Sequence, residues 1–326
     1  VTLTFYSRTT GAVAVGEDAL TALSTGIENT AVGRQALSQI TTDKYNTAVG
    51  YQSLRNQTGS GGTTGNTAVG AAAGAGITTG LYNTALGWMA GDTGNTTGGT
   101  YLGQAAGSNG TGSYCVFIGM GAAEAGVNTD DGTVGIGWDA LNDLTSGLEN
   151  VAVGEKTLAF ITTGDRNTAL GYKAMYDTSG AGAIDSDDNT AIGCRSMSGD
   201  WETAKSTKNT AVGSYTMIGN MNAALENTAV GYTAGEDLTE GDENTLIGSG
   251  AGSNLTGAGV SQNTVLGRSA LYTSTSAVSC VALGHEAMSG GTATIAGTVA
   301  IGKSALSVLT SGQRNVAVGY NAGLET

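Results

Sequence analysis

An apolar word ending in glycine returns eighteen times along the chain, with its Gly at 16, 33, 50, 70, 87, 103, 119, 137, 154, 171, 193, 213, 231, 248, 267, 284, 302 and 319. The spacing is mostly 16–18 residues, with a few intervals of 19–22. One residue before the Gly stands Val, Ile or Leu in every repeat, and three before it stands Thr or Val. Side chains alternate across a strand, so these two columns share one side. That side is β-branched or aliphatic throughout, which predicts a short strand with this side toward a core. The predicted core ladder is Val15, Val32, Val49, Val153, Leu170, Ile192, Ile301 and Val318.

The residue between the two columns is most often Ala: Ala14, Ala31, Ala48, Ala68, Ala85, Ala169, Ala229 and Ala317 among them. Tyr101, Phe117, Leu246 and Val265 are exceptions, and they too are apolar. A strand apolar on both sides is not a sheet with one wet face. Small residues beside Gly suit close approach of another backbone. The expectation is that this alanine side packs against another chain.

The second half of the repeat is looser. Ala recurs three after the Gly and Leu, Met or Gly four after it; turn words such as "LSTG" (23–26), "ITTG" (77–80) and "LTSG" (144–147) follow. Asn recurs four before the next Gly, where it suits a left-handed turn or a stack of amides. Two short strands and two turns in about 17 residues make one rung of a parallel β-solenoid. The predicted fold is all-β: a single parallel β-solenoid, or β-roll, of about eighteen rungs, oligomeric. Residues 11–326 form the solenoid, and residues 1–10, with the alternating "VTLTFYS", a separate N-terminal strand that could complete a neighbouring subunit.

Composition agrees. Gly numbers 55 and Pro is absent, as a chain in which nearly every rung bonds to the next requires. The net charge of −14 argues against nucleic acid as a partner. No apolar run is long enough to span a membrane. The chain begins at Val1 rather than Met, which reads as a processed product or a piece of something longer.

"GAVAVG" (11–16), "ENVAVG" (149–154), "GTVAIG" (297–302) and "RNVAVG" (314–319) resemble the head repeats of trimeric autotransporter adhesins, and related repeats of bacteriophage tail fibres. This repeat is longer than the family's because of its Thr-Gly turn. The family's coiled-coil stalk and membrane anchor have no counterpart within these residues. The resemblance implies a left-handed β-roll, a trimer and a place outside the cell, on its surface or on a virion.

Candidate chemistry is sparse. His285 is the only His, and Cys115, Cys194 and Cys280 lie far apart, so triads and zinc sites have little material. The expectation is a non-enzymatic protein without a cofactor. "DSDDN" (185–189) offers Asp185, Asp187 and Asn189 as a weak Ca²⁺ candidate, without the Gly and bidentate Glu of a full loop. Trp88, Trp138 and Trp201 are candidate contacts for a glycan or another cell-surface receptor. The longer repeats near 55–65, 176–188 and 198–208 are candidate recognition loops. The expected partner is the chain itself, side by side, end to end, or both.

Overall fold

The computed structural model describes residues 6–7, 11–59, 61–92, 94–110, 112–126, 131–176, 186–201, 204–290 and 295–324. Two compact units divide the chain, Val1–Lys156 and Thr157–Thr326. Each is a parallel β-solenoid, and no α-helix occurs among the described residues. The first unit carries β1 (Tyr6–Ser7), β2 (Val13–Val15), β3 (Thr30–Val32), β4 (Thr47–Val49), β5 (Thr67–Val69), β6 (Thr84–Leu86), β7 (Thr100–Leu102), β8 (Val116–Ile118), β9 (Val134–Ile136) and β10 (Val151–Val153). The second carries β11 (Thr168–Leu170), β12 (Thr190–Ile192), β13 (Thr210–Val212), β14 (Thr228–Val230), β15 (Thr245–Ile247), β16 (Thr264–Leu266), β17 (Ala277–Val278), β18 (Val281–Leu283), β19 (Ile295–Ala296), β20 (Val299–Ile301), β21 (Gly312–Gln313) and β22 (Val316–Val318).

Each three-residue word pairs in parallel with the next, residue for residue: Thr30 opposite Thr47, Ala31 opposite Ala48, Val32 opposite Val49. The same register holds in the second unit, where Thr210 lies opposite Thr228 and Ala211 opposite Ala229. β1 pairs antiparallel with β2 of its own chain, Tyr6 opposite Ala14. Tyr6–Ser7 thus pair within the chain, and the rest of residues 1–10 lies outside the described residues.

The faces of the strand are the reverse of those expected. Ala31, Ala48, Ala68, Ala169 and Ala229 are fully buried within the single chain, and Ala14, Ala85 and Ala317 are buried too. Val15, Val32, Val49, Val153 and Ile192 are half-buried, while Leu170, Ile301 and Val318 are exposed. The alanine column is thus the coil's own interior, and the supposed core ladder points outward. The physical reason is width. Each rung returns close to its strand, and only a small residue fits opposite the buried Leu or Met four after the Gly, such as Leu37, Leu54, Leu158, Met175, Met197 and Met217.

Exceptions in the alanine column show how the interior is shared. Where Leu246 replaces Ala, the facing positions are Gly235 and Gly252; a methyl built on either would meet a Leu246 methyl at 2.9 Å. Tyr101 and Phe117 are accommodated likewise by Gly91 and Gly107, with Gly99 beneath the Tyr101 hydroxyl. Burial pushes the Tyr101 phenol up to about 12, partly offset by a hydrogen bond with Thr96. Large and small residues therefore trade places across the coil at roughly constant volume, as close packing demands.

The return path is not the second strand anticipated. Residues two and four after the Gly adopt left-handed backbone in most rungs, for example Gln35 (φ 59°) and Leu37 (φ 49°). They still bond rung to rung: Gln35 N–H donates to the Glu17 carbonyl at 2.8 Å and Leu37 N–H to the Ser53 carbonyl at 3.1 Å. A second short ladder forms along β17, β19 and β21, and single parallel bridges carry it back from Val278 through Ser261, Asp242 and Leu225 to Thr207. The motif Gly is set by its neighbour above. A Cβ at Gly33 would lie 2.3 Å from the Gly50 carbonyl oxygen, and one at Gly50 2.3 Å from that of Gly70.

Asn closes most of the coils from inside. Asn167, Asn189, Asn209, Asn227, Asn244 and Asn263 are all buried and stacked. The backbone N–H and side-chain amide of Asn209 donate to Asn189 Oδ1 at 3.0 and 3.1 Å, and Asn227 repeats both bonds onto Asn209 Oδ1 at 3.0 Å each. Each amide also spans the coil, as when Asn209 Nδ2 donates to the Ala224 carbonyl at 2.8 Å. The left-handed residue is the one before the Asn, such as Lys208 (φ 58°). Asn209→Ala removes the acceptor of two buried donors on the next rung, and is expected to lower unfolding free energy by about 1–3 kcal/mol. Denaturant titration followed by circular dichroism measures it; an unchanged midpoint would show that the amide stack adds no stability.

Candidate functional surface

Because alanine fills the interior, the outer face of the sheet carries two unbroken rows. In the second unit the rows are Thr168, Thr190, Thr210, Thr228, Thr245 and Thr264 beside Leu170, Ile192, Val212, Val230, Ile247 and Leu266. All are half-buried or exposed, with Leu170 45% and Leu266 50% exposed. The first unit repeats the arrangement with Thr30, Thr47, Thr67, Thr84 and Thr100 beside Val32, Val49, Val69, Leu86 and Leu102. No charged residue enters these rows over those rungs. A continuous outward aliphatic band of this kind exceeds the scattered apolar residues of an ordinary surface.

The corners of the coil hold the aromatics. After the Gly, Tyr51, Trp88, Trp138, Tyr172, Tyr232 and Tyr320 are all exposed. Several sit under cations of the adjoining rung: Arg34 lies 5.5 Å from the Tyr51 ring centre and Lys156 Nζ 4.6 Å from that of Trp138. Tyr45, Tyr82 and Tyr114 occupy the opposite corner, five before the Gly, and are exposed as well. In the second unit that corner carries charges instead. Arg166 holds Asp188 through bonds of 2.7 and 3.2 Å, and Lys208 holds Glu226 at 2.9 Å. The Arg166 hydrogen bond keeps the Asp188 carboxyl below the usual carboxylate range. Exposed pairs of this kind add little stability.

Of the three tryptophans expected at a receptor, Trp88 and Trp138 are on the surface, and Trp201 is fully buried. Its repeat is one of the long ones, and the insertion turns its largest side chain inward. The insertion near 55–65 does the same. Gln57 is buried, where its amide donates to Asn46 Oδ1 at 3.1 Å and to Thr64 Oγ1 at 2.8 Å and extends the Asn stack. At these points part of each insertion lines the interior, while Thr58, Gly61, Gly62, Thr63 and Lys205 stay exposed.

Two of the three cation-candidate residues are described. Asp185 lies outside the described residues. Asp187 Oδ1 accepts the Asp165 N–H at 2.8 Å. Asn189 is buried in the amide stack, where its Oδ1 accepts two bonds from Asn209 and its Nδ2 donates to the Ser206 carbonyl at 2.9 Å. An oxygen so committed cannot also reach an outside ion. Among the described residues no group of three or more His, Cys, Asp or Glu side chains is placed to hold a metal. Cys115 and Cys280 take the Asn position and are buried; Cys280 N–H donates to Asn263 Oδ1 at 3.0 Å, and burial pushes its thiol up. His285 Nε2 is 3.1 Å from Arg268 on the exposed corner. No helix among the described residues is long and apolar enough to cross a membrane. No family model, no curated protein and no solved structure matches the chain.

Two substitutions on neighbouring residues separate the faces. Ala229→Lys places a charge in the closed interior and is expected to cost at least about 3 kcal/mol of stability. Val230→Lys, one residue on, leaves the coil folded, with a much smaller loss of thermal midpoint than Ala229→Lys causes. Equal destabilisation by both, measured by thermal circular dichroism, would contradict the assigned orientation.

Proposed function

We propose that the protein is a non-enzymatic structural component of a fibre, extracellular, on a cell surface or on a virion, and that copies of the chain cover one another's outward Thr and aliphatic rows. The observation that carries this reading is the uninterrupted band from Thr168–Leu170 to Thr264–Leu266, which a lone chain leaves in water. Covering such a band removes apolar area from solvent, at roughly 25 cal/mol per Å² before the costs of association. Within each unit the matched register of the rungs lets a second solenoid lie alongside, so that a weak contact repeats many times. The resemblance of the strand words to trimeric autotransporter heads and tail-fibre repeats supports three copies as the assembly, with no cofactor and no chemistry at its surface. Attachment is the natural task of such a fibre, and the exposed Trp88 and Trp138 favour a second reading in which the segment also contacts a cell-surface glycan or receptor.

Sedimentation of the purified chain tests the assembly. The parent is expected as an oligomer, and Val212→Lys/Val230→Lys as a folded species of lower mass. A parent that is monomeric at tens of micromolar, or a double variant that keeps the parent's mass, would overturn the reading.

A further inference from the structure

Tyr45, Tyr82 and Tyr114 form a second, more specific surface. All three stand five residues before the motif Gly, with left-handed backbone (φ 65°, 58° and 59°). They occupy alternate rungs, and the rungs between carry Gly65 and Gly98 at the same position. Each of the later two rings leans back over the intervening Gly. A Cβ at Gly65 would meet Tyr82 Cδ1 at 3.1 Å, and one at Gly98 would meet Tyr114 Cδ1 at 2.8 Å. Glycine there leaves the ring its place, and the rings remain 48%, 57% and 65% exposed. The result is a line of aromatic platforms at a two-rung interval, about 10 Å given the spacing of paired strands.

We propose that this tyrosine column binds an extended, uncharged, β-1,4-linked polysaccharide lying along the stacking direction of the first unit. The period selects the ligand. A β-1,4-linked chain turns over at each sugar, so it shows the same ring face every second residue, which is about the same two-rung interval. A peptide strand repeats its side every two residues, at about 6.8 Å, and falls out of step by the second platform. The charge selects further. No charged residue stands in this column between Tyr45 and Tyr114, whereas the same column of the second unit carries Arg166, Asp188, Lys208, Glu226 and Glu243. A polyanion would also be repelled by a chain of net charge −14. Sugar rings present C–H groups to an aromatic face; beside the column the Thr97 and Ser113 hydroxyl oxygens accept the Leu81 and Thr97 N–H at 3.4 and 3.3 Å, which leaves each hydroxyl hydrogen to donate.

The test uses the full chain with cellohexaose, chitohexaose and maltohexaose in calorimetric titration. Binding is expected for one or both β-linked hexamers, and which of the two binds identifies the polymer. The α-linked maltohexaose, which coils, is expected not to bind. Tyr82→Ala is expected to weaken binding about fivefold, and Tyr45→Ala/Tyr82→Ala/Tyr114→Ala to abolish it, each with an unchanged circular dichroism spectrum. Tyr82→Phe keeps the ring and is expected to bind as the parent does; Tyr232→Ala, in the second unit, is expected to have no effect. Failure of the parent to bind either β-linked hexamer, equal binding of maltohexaose, or undiminished binding by the folded triple variant would overturn the proposal. Sedimentation of the same samples reports self-association separately, so loss of sugar binding and loss of assembly are read independently.

Discussion

The structure depends on how narrow the coil is. Each rung folds back on itself closely enough that its strand can place only alanine inward, opposite Leu or Met on the return path. Leu246, opposite Gly235 and Gly252, shows that the limit is a shared volume rather than a preference for alanine as such. The backbone is equally crowded along the stack within each unit, where motif glycines such as Gly33, Gly50 and Gly193 lie against the carbonyl of the next. A coil this thin buries little apolar area per residue, so hydrogen bonding between rungs carries much of the burden. The buried Asn stack serves that need: one amide oxygen satisfies two donors on the rung above, and its nitrogen ties down the turn across the coil.

Narrowness also decides the surface. Since the interior accepts one small residue per strand, the β-branched and aliphatic residues that make the strand extended are turned outward. A water-facing solenoid would place charges there. This chain confines its charges to corners and turns, where Arg166–Asp188 and Lys208–Glu226 sit, and keeps Thr beside Val, Leu or Ile on the flat face. The link from sequence to assembly therefore runs through packing: what the interior excludes becomes the contact surface. The tyrosine column is a local variation at the corner, possible because Gly in alternate rungs leaves room for a ring.

The period, the strand word, the absence of helix among the described residues and the Asn amide stack were legible in the sequence, because a residue repeated at one position in most rungs has to do one job. The direction of the strand's faces was not. Ala and Val are both apolar, alternation alone does not say which is inside, and the size of the interior depends on a return path whose shape is hidden. That path is built on left-handed backbone at residues such as Gln35, Leu37 and Met217, where side-chain type gives no warning. The same gap misplaced Trp201, which looked like a surface residue in a long repeat and is interior. A signal was present in retrospect: Leu246 and Tyr101 in the alanine column coincide with Gly four after the motif Gly in the adjoining positions, the mark of two columns sharing one space.

That shared space is open to a direct measurement. Ala211 faces Met197 and Met217 as Leu246 faces Gly235 and Gly252, so unfolding free energies can be compared for Ala211→Leu, for Met197→Gly/Met217→Gly, and for the three changes together. Ala211→Leu alone is expected to cost about 1–3 kcal/mol by overpacking, and the triple variant to be more stable than the sum of the separate losses predicts. Additive losses, or an Ala211→Leu protein as stable as its parent, would mean that the alanine column does not line the closed interior.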